Sequence, residues 1–86
     1  MKVRVPTPLR SYTKQKSQVE ATGSMLADLL WDLDRHYPGL RFRIITEQDE
    51  IREHIKLFVN QEQVRDLSVA LRPADEVHII CALSGG

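Results

Sequence analysis

The sequence of 86 residues has one cysteine, four glycines, only 6% aromatic residues and no surplus of charge, with twelve Lys plus Arg against twelve Asp plus Glu. Each scarcity excludes something. Cys81 has no partner for an intramolecular disulfide and no companion for a thiolate metal site, so a reducing compartment suits it. Balanced charge removes the electrostatic term behind most non-specific nucleic-acid affinity, and no basic run offers an anionic-membrane patch. Neither nucleic acid nor membrane is therefore expected as a partner. No apolar run approaches the roughly 20 residues of a membrane span, and Met1 to Val5, with Lys2 and Arg4, has no apolar stretch of signal-peptide length. The expected location is the cytoplasm. A chain this short buries only about 60–65% of the surface it exposes when unfolded. Its 42% hydrophobic residues are thus needed for one core, and little remains to wall an enzyme pocket of several hundred cubic ångströms.

What is present is ordered. Lys2-Val3-Arg4-Val5 alternates with β-branched residues on one face, and Pro6 and Pro8 then withdraw ladder donors, so a first strand ends there. Leu9 to Gln15 is polar apart from Leu9 and Tyr12. Gln18 to Ala21 alternates again and predicts a second strand paired with the first through a wide hairpin. Leu26, Leu29, Leu30, Leu33 and Tyr37 recur at the spacing of one helix face, with Ser24 as the expected cap, Trp31 at the stripe's edge and Pro38-Gly39 as the stop. The apolar residues from Leu40 to Ile45 follow no single period, and Thr46 to Glu53 is polar and acidic, a loop. His54 to Val59 alternates, with Ile55, Leu57 and Val59 directed at the core and His54, Lys56 and Phe58 away from it. A turn at Asn60-Gln61, a short strand at Val64-Arg65 and a turn at Arg72 to Asp75 follow. The last run, Glu76 to Ala82, is apolar on both faces, which predicts a central strand. The expected fold class is α+β, a mixed sheet of four to five strands with one long helix packed across one face. Residues 1–82 are expected to form one domain and 83–86 a flexible tail.

Residues of the catalytic types are not arranged for catalysis. His36, His54 and His78 lack the i, i+4 partner or cysteine neighbour of zinc motifs, and strand pairing could at most bring His54 near His78. Asp28, Asp32 and Arg35 read as a solvated helix face. No serine lies in a G-x-S-x-G elbow, and no Gly-rich phosphate loop exists. Cys81, inside an apolar strand, reads as a small near-core residue. No catalytic residue and no metal ligand is assigned, and no cofactor is expected to be held permanently.

The informative stretch is Leu83-Ser84-Gly85-Gly86. Glycine averages about 7% of residues, so a terminal Gly-Gly arises by chance in roughly one chain in two hundred. Frayed ends are common, and composition alone leaves that reading ahead. Chemistry favours another. Two residues without Cβ make the thinnest peptide available, able to enter a channel that a side chain would block. Four extended residues reach roughly 13 Å, enough to carry a terminal carboxylate into a partner while the globular part stays outside. Such a carboxylate becomes reactive once adenylated by ATP, after which sulfur can displace AMP.

The sequence resembles the β-grasp, ubiquitin-like sulfur carriers of the MoaD/ThiS family along its whole length. Val5-Pro6-Thr7-Pro8-Leu9-Arg10 with Thr13 is similar to the family's opening, and Leu29-Leu30 with Tyr37-Pro38-Gly39-Leu40 to its helix and helix exit. Phe58-Val59-Asn60 is similar to the strand and turn after the middle loop. Asp75-Glu76-Val77 and Ala82 to Gly86 are similar to the closing strand and tail. The opening and Gln15-Lys16-Ser17 look most like the CysO-type carriers of cysteine biosynthesis. Three positions depart from the family pattern: Gln61 and Ala74 stand where glycines are usual in the two turns, and Cys81 where a proline often precedes the alanine.

The resemblance implies that Gly86 is adenylated by a ubiquitin-activating-like enzyme, which consumes ATP, and becomes a thiocarboxylate that gives sulfur to a cysteine-synthase-like or other biosynthetic acceptor. Gly86 is then the reacting residue of a protein substrate, not of an enzyme, and in the tail that begins at Leu83, Gly85 and Ser84 keep the chain slim and mobile. Phe58 and Ile80 are the expected docking patch, unless the Leu40 to Glu53 segment buries them. Other readings remain open: a ubiquitin-like modifier joined to lysines through Gly86, the small subunit of a synthase such as molybdopterin synthase, or a plain interaction module.

Overall fold

Leu26, Leu29, Leu30 and Leu33 lie on one side of a helix, α1 (Leu26–His36), and all four are fully buried. Removing each from water contributes about 1.5–3 kcal/mol, so this stripe is the main reason the helix sits where it does. The computed structural model describes residues 1–82. The sheet against which α1 packs comprises β1 (Lys2–Arg4), β2 (Gln18–Glu20), β3 (Ile55–Val59), β4 (Glu62–Val64) and β5 (Glu76–Cys81), in the order β2-β1-β5-β3-β4. β1 and β5 are parallel, while the β1–β2, β3–β4 and β3–β5 pairs are antiparallel. β5 is thus the middle strand, as its two apolar faces predict. Val3, Val19, Ile55, Leu57, Val77 and Ile79 point from the sheet into the same core as the α1 leucines.

The helix begins differently from its sequence signature. Ser24 does not cap it. The residue before the first turn is Met25, with extended backbone, and the Ser24 hydroxyl lies 3.1 Å from Asp28 Oδ2, to which it donates. The free amides of Leu26 and Ala27 donate instead to the carbonyls of Val69 and Leu67, at 3.0 and 2.9 Å. A distant backbone segment satisfies donors that a serine side chain usually takes.

Two further elements were not assigned from periodicity. The polar segment after β1 is a 3₁₀ helix, Thr7–Thr13, which buries Leu9 and Thr13. The Thr13 hydroxyl donates to the Lys16 carbonyl at 2.8 Å, so this buried polar group is satisfied. Leu40–Ile44 forms a short helix, α2, burying Leu40 and Ile44. Its first amides are served by α1: Asp34 Oδ1 accepts from the N–H groups of Gly39 and Arg41 at 3.0 and 3.2 Å. Gly39 has φ +94° and lies where a Cβ would come within 3.2 Å of the Tyr12 ring, so glycine is what lets the chain turn from α1 into α2. Trp31, at the stripe's edge, is 54% exposed, with the Arg41 guanidinium carbon 3.8 Å from its ring centroid.

Candidate functional site

The end of β5 is held on one side by β3. Cys81 pairs with Ile55, and the Ala82 N–H donates to the His54 carbonyl at 2.7 Å. Residues 83–86, where the resemblance puts the adenylation site Gly86 and the tail residues Leu83, Ser84 and Gly85, lie outside the described residues. The strand leading to them is fixed as far as Ala82.

Alternation along β5 and β3 places Phe58 and Ile80 on the sheet face opposite α1. Phe58 pairs with His78 and Lys56 with Ile80, so the two apolar side chains occupy diagonal positions on neighbouring strands. Ile80 is 41% exposed and Phe58 is half-buried. Around them the face is polar. Glu76 Oε1 accepts from Arg4 Nε at 2.6 Å, and His78 Nε2 lies 2.7 Å from the same oxygen. The Arg4 guanidinium first, and His78 second, hold the Glu76 carboxyl below the usual range. The i, i+2 spacing of Glu76 and His78 on a strand puts them on one face, a signal available from sequence; Arg4 joins them only through the parallel β1–β5 register.

The turn residues beside this face are tied together. Asn60 Nδ2 donates to Asp75 Oδ1 at 2.7 Å, and Asn60 Oδ1 accepts from the Glu76 N–H at 2.9 Å. The Arg72 N–H donates to Asp75 Oδ2 at 2.8 Å, and this backbone bond, with the Asn60 amide, holds the Asp75 carboxyl below its ordinary value. The Gln61 departure leaves the β3–β4 turn intact, because Asn60 and Gln61 themselves take φ of 50° and 74°. The Ala74 departure is conformationally free: the turn closes through Asp75 N–H to the Arg72 carbonyl with Pro73 second in the turn, and Ala74 needs no positive φ.

Cys81 is free and half-buried. Burial pushes its thiol up, against a smaller opposing pull from Arg43, so the thiolate nucleophile is disfavoured. His54 and His78 are not brought together. His54 stands opposite Ala82 and His78 opposite Phe58, four positions apart along the strand or roughly 13 Å. Among the described residues no three His, Cys, Asp or Glu side chains gather as metal ligands, and no helix is long and apolar enough to cross a membrane.

A mixed five-stranded sheet with a parallel central pair and a helix across one face defines the β-grasp, ubiquitin-like class, and solved structures agree. A chain of the BexX/CysO complex of Amycolatopsis orientalis superposes with a TM-score of 0.93 at 30% identity, covering 99% of this chain and 98% of that one. CysO of Mycobacterium tuberculosis, described as an antigen, superposes with a TM-score of 0.90 at 30% identity, covering 95% and 98%. Small archaeal modifier protein 1 of Methanosarcina acetivorans superposes with 0.83 at 26% identity, covering 99% and 94%. In sequence, the sulfur carrier protein CysO of Mycobacterium tuberculosis is 32% identical over 89 residues, spanning 98% of this chain and 96% of that protein. The ThiS family model matches residues 3–86, and the chain belongs to the ThiS family.

Proposed function

We propose that this chain is a sulfur carrier whose Gly86 carboxylate is the reacting group. The observation that carries the proposal is full-length kinship with the sulfur carrier protein CysO, joined to a sequence in which Gly85 and Gly86 follow the central strand after Ala82, Leu83 and Ser84. In the proposed cycle, a separate adenylyltransferase transfers AMP from ATP to the carboxylate and releases pyrophosphate. Sulfide, or a sulfur donor equivalent to it, then attacks the acyl carbon. The carbon–oxygen bond to AMP breaks, a carbon–sulfur bond forms, and the product is a thiocarboxylate. An acceptor enzyme takes the sulfur into cysteine or a related metabolite. On this reading the chain is a protein substrate, works in the cytoplasm, and binds no cofactor of its own.

The test is intact-mass measurement after incubation with the adenylyltransferase of the same organism, ATP and sulfide. A gain equal to replacing one oxygen by sulfur, absent from a variant lacking Gly86, is expected; no gain with an enzyme that does adenylate the chain overturns the reading. Likeness to small archaeal modifier protein 1 supports a second reading, attachment through Gly86 to lysines of other proteins. Lysine adducts in the same mixture would favour it.

A further inference from the structure

Where β5 ends, the 3₁₀ helix, α2 and the loop before β3 converge on a groove of about 400 Å³. Its apolar lining comes from Pro8, Leu9, Phe42 and Cys81, and its polar lining from Arg43, Arg52 and His54. No carboxylate lines it. In a chain of zero net charge this is a local surplus of two positive charges before His54 is counted. Among the described residues, neither Arg43 nor Arg52 has an ion-pair partner, whereas Arg4 and Arg41 are paired with Glu76 and Asp49. Arg52 is also pre-set. Its Nε donates to the Phe42 carbonyl at 2.7 Å, and its guanidinium carbon stands 4.6 Å from the Phe42 ring centroid. Phe42 itself is 53% exposed. An aromatic surface is thus offered to solvent beside a guanidinium whose rotamer is already fixed, which lowers the entropy cost of using either in a contact.

The position of the groove points to its occupant. From Cys81, which lines the groove, the five residues to Gly86 extend at most roughly 17 Å, so an enzyme that closes on Gly86 must approach within that distance of it. We infer that this groove is a second docking surface for the adenylyltransferase, and that it receives a segment of that enzyme carrying carboxylates beside an aliphatic or aromatic side chain. The carboxylates meet Arg43 and Arg52, and the apolar side chain meets Phe42 and Leu9. The inference rests on the sulfur-carrier reading, and it concerns a different surface from the Phe58 and Ile80 face.

The experiment titrates the full chain with the purified adenylyltransferase of the same organism at low and high salt, and follows thiocarboxylate formation by intact mass. Arg43 is exposed, so Arg43→Glu should keep the amide NMR spectrum of the folded protein while raising Kd about tenfold at low salt, the scale of a lost and inverted charge contact. Arg52→Lys, which keeps charge but loses the stacked guanidinium, should raise Kd less. Added salt should weaken wild type and leave Arg43→Glu nearly unchanged. A folded Arg43→Glu variant that binds and reacts like wild type overturns the groove while the sulfur-carrier reading stands. A wild-type chain that gains no sulfur and does not bind the enzyme overturns both the reading and the occupant named here.

Discussion

Gln61 sits at φ 74°, in the left-handed region that costs a residue with a Cβ about 1 kcal/mol or more. It follows Asn60, also left-handed, so the two-residue β3–β4 turn carries this cost once at a residue that tolerates it and once at one that does not. Gln61→Gly should therefore raise stability by about 0.5–1 kcal/mol, read as a higher urea midpoint with an unchanged slope. The neighbouring carboxylates set the acid limit. Asp75 and Glu76 are both held below their ordinary values by hydrogen bonds made in the folded chain, and Asp66 likewise by the Ser68 N–H and hydroxyl. A carboxyl depressed in the folded state contributes stability that is present above its unfolded value, near 4, and is lost as pH falls through the folded value. Urea midpoints should therefore be flat from neutral pH to about 5 and decline below about 4. Asp75→Asn should lower the neutral-pH midpoint and make the acid decline shallower.

At the scale of elements, what was legible from sequence was what repeats. α1 announced itself through four leucines at helical spacing, β3 through alternation ending at a polar turn, and β5 through a run apolar on both faces. α2 has five residues, too few to show a period, and its amides are capped by Asp34 of the preceding helix, a partner that only the fold supplies. The start of α1 was misread at Ser24 for a related reason: Leu67 and Val69, some forty residues away, satisfy its first amides. The groove between the 3₁₀ helix and α2 left no signal at all, since Arg43 and Arg52 are brought together by a loop. Close packing at the start of α1 gives a sharp test. A Cβ on Gly23 would fall 2.5 Å from the Leu29 backbone nitrogen and 2.9 Å from its Cα. Backbone cannot yield as a side-chain tip can, so Gly23→Ala should destabilise by about 1–3 kcal/mol in a denaturant melt.

For the whole molecule, the division of the sheet into two faces matters most. One face is spent on the core with α1, and the other is left to polar networks around Phe58 and Ile80. Phe58→Asp changes that open face, so it should weaken association with the adenylyltransferase about tenfold while thermal unfolding stays cooperative; unaltered binding removes Phe58 from the docking patch. Leu30→Ala, by contrast, empties a fully buried position and should lower stability by about 2–5 kcal/mol, a large share of what a domain this small possesses.

The parallel pairing of β1 with β5 has a mechanical side. Lys2 stands beside Glu76, and the free end of β5 lies past the far end of β1. Tension applied between Met1 and Ala82 therefore pulls the two strands lengthwise past each other, loading their hydrogen bonds together instead of peeling them one at a time. Because β3 flanks β5 on its other side, the first half of the strand is gripped from both edges. An enzyme that draws on this end of the chain pulls against a strand whose first half is paired on both edges and whose second half is held by β3.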